Sequence, residues 1–174
     1  MFVFLIIIII MQEEIFPIVD SEGCVVGSAT RTECHSGLFI LHPVVHLHIF
    51  NSNGDLYMQK RVMTKKIQPG KWDTAVGGHV DFGESVEDAL LRETREELGV
   101  TDFVPEFLLR YEFRSSVEAE LVYVYRCTYD GAFMPDPSEV DEGRFWSLDE
   151  IREFVGKGVF TPNFESEIAR LGWL

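Results

Sequence analysis

The stretch that leaves the chain least freedom is residues 78–100, GHVDFGESVEDALLRETREELGV, with Gly78, Glu84 and the run Arg92-Glu93-Thr94-Arg95-Glu96-Glu97-Leu98-Gly99 in close spacing. Ser85, with Asp88 three residues on, has the spacing of a capping box, and Gly99 stands where a left-handed residue closes a helix. The spacing predicts a helix over 86–98, entered through a glycine-bearing loop. At 3.6 residues per turn, Glu93 and Glu97 share an azimuth with Val86 and Leu90, and Glu96 borders them. The inward stripe therefore begins apolar and ends acidic. Carboxylates gathered on a face that starts as core repel one another and lose hydration, unless a cation joins them. Hard oxygen donors with no thiolate nearby favour Mg²⁺ or Mn²⁺. A Glu-rich helix taken alone is more often a solvated face; here the inward azimuth and the flanking loop argue for a metal.

The rest of the composition narrows the partners. A length of 174 residues suits one domain, and 46% apolar residues suit a globular one. A net charge of −14 argues against a general binder of nucleic acid or anionic membrane, while leaving room for a small phosphorylated ligand received by a metal or a local basic cluster. Cys24, Cys34 and Cys127 form no CxxC pair and read as reduced thiols of a cytoplasmic protein. Residues 1–10, MFVFLIIIII, are about half the length of a spanning helix and lack a basic flank and a small-residue cleavage site. They read as an upstream extension, with the domain occupying 11–174.

Short strands are expected at 15–19 and 24–29 around the turn Asp20-Ser21-Glu22-Gly23, then a loop or short helix across 31–41. VVHLHIF at 44–50 and the run 56–61 read as a hairpin turning at Asn53-Gly54. Lys65, Lys66 and Pro69-Gly70 mark a basic loop before a strand at 72–76. Strands are expected at 107–113, 121–128 and 145–147, and helices at 148–155 and 163–171. Mixed short strands with two or three helices imply an α/β (α+β) layered fold.

Residues 78–100 resemble the Nudix box, the signature of the Nudix hydrolases. Thr94 alone departs from it, standing where an aliphatic residue is usual. The resemblance implies an α/β/α sandwich with a mixed central sheet and a loop–helix–loop catalytic motif. It also implies Mg²⁺ or Mn²⁺ held by Glu93, Glu96, Glu97 and the Gly78 carbonyl. Glu93 and Glu97, with Arg92 orienting the glutamates, would be the catalytic residues, and Glu84 would brace the loop.

From about 18 to 164 the chain is also similar to the isopentenyl diphosphate isomerase branch of that superfamily. The matching phrases are VDSEGCVVGSATR, His35 with His42 seven residues on, QKR-x3-K before PGKWDTAVGGH, Glu118-Ala119-Glu120, and FTPNF. This likeness implies a second metal held by His35, His42, His79, Glu118 and Glu120, and a substrate diphosphate held by Arg31, Arg61 and Lys65. It gives His46 and His48 no role, and they read as structural. Position 77, where the isomerases carry a catalytic Cys, is Gly, which has no acid–base group. The box is complete at Glu93, Glu96 and Glu97, where the isomerase branch tends to carry a basic residue at the first.

Both departures favour metal-dependent hydrolysis of a diphosphate linkage, in a nucleoside diphosphate or its derivative, by a monomer or homodimer. The competing expectations are an isomerase with altered acid–base residues and a non-catalytic nucleotide-binding domain.

Overall fold

The computed structural model describes residues 13–65 and 67–174, so the apolar run at 1–10 lies outside the described residues. A hairpin of β1 (Ile15–Val19) and β2 (Val25–Thr30) opens the fold. It runs directly into the short helix α1 (Arg31–Cys34), where Thr30 and Glu33 form a reciprocal capping box. The remaining strands are β3 (Leu41–Phe50), β4 (Leu56–Arg61), β5 (Trp72–Asp73), β6 (Val76–His79), β7 (Glu106–Arg114), β8 (Ala119–Thr128) and β9 (Val140–Trp146). They form one mixed sheet in the order β5-β4-β3-β8-β7, with β6 beside β3 and β9 beside β4. The three further helices are α2 (Val86–Leu98), α3 (Leu148–Phe154) and α4 (Pro162–Arg170).

β3 is the spine of the sheet. It pairs in parallel with β8 from Leu41↔Ala119 to Phe50↔Thr128. Its other edge is shared: residues 44–47 pair with β6 and the last two residues with β4. Alternation along β3 divides the two layers. Val45, Leu47 and Ile49 pack with Ala89, Leu90 and Leu98 of α2 on one face. His42, Val44, His46 and His48 lie on the other, where Val44 packs with Tyr111, Val122 and Val124 and is flanked by Leu171, next after α4. Under α3 and α4 a separate cluster joins Leu56, Met58, Trp72, Trp146, Ile151, Phe160, Phe164 and Ile168. The result is an α/β/α sandwich. Leu90 and Leu98 are fully buried, each contributing about 1.5–3 kcal/mol relative to exposure.

α2 occupies the residues its spacing predicts. Ser85 caps it by accepting from the Asp88 N–H, and Gly99 closes it at φ 68°. Thr94 is fully buried, and its hydroxyl donates back to the Leu90 carbonyl at 2.6 Å.

Three expectations need correction. The single strand expected at 72–76 is two strands, because Trp72–Asp73 pairs with β4 while Val76–His79 crosses to β3; the buried Thr74 hydroxyl, donating to the Leu47 carbonyl, holds the junction. β3 begins at Leu41, ahead of the expected 44, since Pro43 sits inside a parallel ladder and its carbonyl accepts from Val80. β9 begins at Val140, not at 145. Its VDEGR segment is weakly β-forming on its own, and pairing along β4 overrides that preference.

Candidate functional site

β6 divides the site, because its successive residues point to opposite faces. Gly78 lies toward α2. A Cβ at position 78 would collide with the Glu93 side chain, so only glycine lets that carboxylate lie against the strand. Glu97, one turn on, is partly buried and accepts from the Gln59 side-chain amide at 2.8 Å. Burial pushes the Glu97 carboxyl up to about 8, with Glu93 and Glu139 adding to the effect. Burial also raises Glu93, against the pull of Arg92. Glu96 stays half exposed and, among the described residues, is tied only to Arg92 at 3.3 Å and Arg95 at 3.6 Å.

Arg92 organises this face. Its Nε and Nη2 each donate at 2.9 Å to the two oxygens of Glu84, in a bidentate pair. Its Nη1 reaches Glu93 at 2.8 Å, and Nη2 also donates to the His79 carbonyl at 2.9 Å. The Glu84 hydrogen bonds hold the guanidinium charged and the carboxylate lowered. Glu84 in turn accepts from the Asp81 N–H, which fixes the loop into the helix.

The opposite face of β6 collects imidazoles. The ligand atoms of His35, His42 and His79 all lie within 4.8 Å of one another, and the Nε2 atoms of His35 and His79 are 3.2 Å apart. Glu118 lies 3.5 Å from His35, and Glu120 faces His42 across the β3–β8 pair. Phe16 from β1 stacks on His79 with centroids 4.4 Å apart. Burial lowers the pKa of all three histidines, assisted at His35 and His79 by Arg31. The His42 Nδ1 donates to the Ile40 carbonyl, which leaves a buried Nε2 with no partner among the described residues. Neutral imidazoles with one orphaned nitrogen are chemically fit to receive a transition metal. Burial, then the Glu118 charge, pushes the Glu120 carboxyl up to about 7.

The basic residues expected to hold a diphosphate are engaged by acids. Arg31 pairs with Glu14, Arg61 lies 3.3 Å from Asp73, and Lys65 pairs with Glu139. Lys65 lies near enough to Glu97 to lower its carboxyl, and Arg31 borders the imidazoles.

Sequence reasoning missed Glu167. This α4 carboxylate is fully buried and accepts from His46 Nδ1 at 2.8 Å, His48 Nε2 at 2.6 Å and the Tyr111 hydroxyl at 2.8 Å. A signal was present: Glu167 falls in the stripe Phe164, Ile168, Leu171, where an apolar residue belongs.

This architecture, a glutamate-bearing loop–helix–loop set into an α/β/α sandwich, defines a class of fold, and comparison identifies the family. The NUDIX domain family model matches residues 40–164. An uncharacterised Nudix hydrolase of Streptomyces coelicolor is 35% identical over 162 residues, covering 91% of this chain and 88% of the relative. An isopentenyl-diphosphate Δ-isomerase of Shigella flexneri is 31% identical over 147 residues, covering 81% of each. The crystal structure of DR0079 from Deinococcus radiodurans superposes with a TM-score of 0.79 at 25% identity, covering 90% of this chain and 98% of that one. The chain belongs to the Nudix family, in the branch similar to the isopentenyl diphosphate isomerases.

Proposed function

We propose that this protein hydrolyses a diphosphate linkage in a nucleoside diphosphate or a nucleoside diphosphate derivative. The observation that carries the reading is Glu93, packed against Gly78 where no side chain can intervene, with Glu97 one turn on and both carboxyls raised by desolvation. Desolvated carboxylates in that position are costly until a divalent cation shares them. Glu93, Glu96, Glu97 and the Gly78 carbonyl would hold Mg²⁺ or Mn²⁺. Such an ion, when bound, supplies neutralisation of diphosphate charge and a more acidic water.

The chain's own groups do the rest. Arg92 holds Glu93 and the Gly78–His79 end of β6 in register through its bonds to Glu84, Glu93 and the His79 carbonyl. Glu93, raised by burial, would accept the proton of an attacking water. Gln59 keeps one oxygen of Glu97 oriented. Arg61 and Lys65 exchange their carboxylate partners for substrate phosphate oxygens. A panel of nucleoside diphosphates and their derivatives, incubated with and without Mg²⁺ or Mn²⁺, tests the reading through release of phosphate or mononucleotide. Metal-dependent release is expected, and silence across the panel favours a binding domain.

The assembled cluster of His35, His42 and His79 with Glu118 favours one second reading, isoprenoid diphosphate isomerisation. Gly77 lacks the acid–base group that reaction uses in the similar isomerases. NMR detection of allylic product from isopentenyl diphosphate would establish this reading in place of ours.

A further inference from the structure

Gln59 meets the Glu97 carboxylate with one half of its amide and leaves the other half unused. It lies on β4, two residues after Tyr57, and alternation along the strand gives both the same face. Tyr57 packs there with Leu90 and Leu98 of α2. The strand is held on both sides at this residue, by Asp73 of β5 and by Gly143 of β9. The Gln59 Nε2 donates to Glu97 at 2.8 Å. As a carboxylate, the form that shares a cation, Glu97 can only accept, so the amide turns its NH₂ toward it and its oxygen away. That oxygen, Oε1, is buried and has no hydrogen-bond partner among the described residues. The nearest basic side chains in sequence are directed elsewhere: Arg61 donates to Asp73 and to the Ile67 carbonyl, and Lys65 to Glu139.

A buried acceptor left without a donor is costly, so the site that Gln59 belongs to must deliver one. Diphosphate cannot, because its oxygens are themselves acceptors at neutral pH, and the same holds for the carboxylates of Glu93, Glu96 and Glu97. Water can. Mg²⁺ dehydrates reluctantly, binds through one or two carboxylates and keeps several waters, whose O–H groups the metal charge makes stronger donors.

We infer that Gln59 is a water-positioning residue of the diphosphate site: with Nε2–H fixed on Glu97, its Oε1 accepts a hydrogen bond from a water on the cation that Glu97 shares. The inference rests on the reading proposed above and extends it to β4, outside the loop–helix–loop. A phosphate oxygen brought to the same place would face Oε1 acceptor to acceptor, so the amide reserves that coordination position for water and leaves the others to the substrate.

Crystals of the wild type grown with Mg²⁺, alone and with α,β-methylene-ADP, read this role directly. In both, a water ligand of the cation on Glu97 should lie about 3 Å from the Gln59 Oε1. A phosphate oxygen in that position overturns the inference, as does the absence of such a water, Oε1 bound to the cation itself, or no cation at Glu97. Two variants carry the test into solution, with Mg²⁺ affinity measured by calorimetry. Gln59→Met keeps the length of the side chain and removes both polar groups. Gln59→Glu keeps an oxygen acceptor for the water and gives up the donor to Glu97. The methionine should weaken Mg²⁺ binding by about tenfold or more, the loss usual for a group one step removed from a metal. The glutamate should stay within about threefold of wild type.

A residue that served only to hold Glu97 would give the opposite ranking, since a carboxylate oxygen set against Glu97 is worse than a thioether, and that ranking overturns the inference. The wild-type crystals decide the matter even where a variant fails to fold. The two proposals fail separately. Metal-dependent hydrolysis with no water on Gln59 sinks this one alone. A water held on Gln59 in a protein that hydrolyses no diphosphate sinks the hydrolase reading alone.

Discussion

The two faces of β6 solve the same problem with opposite means. On the Gly78 face nearly every group comes from one helix and the loop that opens it, and a single guanidinium ties Glu84, Glu93 and the His79 carbonyl together. Negative charge there exceeds what Arg92 can balance, and Glu97 is left with an amide for company. On the Gly77–His79 face the donors arrive from the end of α1, from β3, from β6 and from β8, under a lid of Phe16. The three imidazoles are kept neutral by burial, and one nitrogen is left over. The difference teaches that a local motif can organise surplus charge, whereas a dispersed one needs the whole sandwich before its donors meet.

The largest effect that separates the faces comes from Glu97→Gln. Glutamine still accepts from Gln59, so the fold should persist. Diphosphate hydrolysis should fall by more than the roughly 100-fold typical of groups one step removed from a metal. Metal binding by the imidazole cluster, read by Mn²⁺ or Zn²⁺ stoichiometry, should be unchanged. Retained hydrolysis would move the site off this helix. Next comes a pair of neighbouring substitutions. Gly78→Ala drives a Cβ into Glu93 and should cost about 10- to 100-fold in activity through the displaced carboxylate. Gly77→Ala places its Cβ at ordinary contact distance from His46, and should leave the fold and Mg²⁺ affinity as they are. Equal losses of Mg²⁺ affinity from the two alanines would erase the division between the faces.

The same contrast explains what the sequence disclosed. The Gly78 face was readable because its spacing is helical: Ser85, Gly99 and the azimuth of Glu93 and Glu97 are relations between residues within a few turns. β3, the Asn53-Gly54 hairpin and α4 were readable from alternation and caps. The Gly77–His79 face is brought together by the parallel pairing of β3 with β8, a register that no local pattern encodes. Only the resemblance named its residues, and it was silent on Glu167, which the fold draws from α4 to His46 across 121 positions. The split of 72–76 and the early start of β9 were likewise decided by partners distant in sequence, β3 and β4.

Protonation should distinguish the faces more gently. Glu97, near 8, and Glu120, near 7, both stand above the ordinary 4.5. A raised folded pKa gives stability that is full below the ordinary 4.5 and is lost as pH rises through the folded value, so these two carboxyls should weaken the metal-free protein progressively between about pH 4.5 and 8. The lowered histidines act in the other direction, since their neutral form is favoured on folding, and stability should fall as pH drops below about 6.5. Thermal melts without metal should therefore peak near pH 6.5, with an alkaline loss on the order of 5 °C. Mg²⁺ should flatten the alkaline limb, and Glu97→Gln should make it shallower without metal. An alkaline limb that neither Mg²⁺ nor Glu97→Gln changes would remove the Gly78 face as its source.

The smallest expected effect tests whether the one departure from the box touches its chemistry. Thr94 is fully buried on α2, and its hydroxyl folds back onto the Leu90 carbonyl, which the Thr94 N–H also reaches in the helix. The hydroxyl thus duplicates a bond the backbone already makes, and its neighbours Leu90 and Leu98 are apolar. Thr94→Val keeps the branched shape and replaces the hydroxyl with a methyl. Stability should rise by less than about 1 kcal/mol, a shift below roughly 2–4 °C in a melt. Turnover should stay the same, because among the described residues the Thr94 side chain hydrogen-bonds only the Leu90 carbonyl and none of the box's charged groups. A turnover change without a change in melting would mean that helix packing, and not the carboxylates alone, sets the geometry of the Gly78 face.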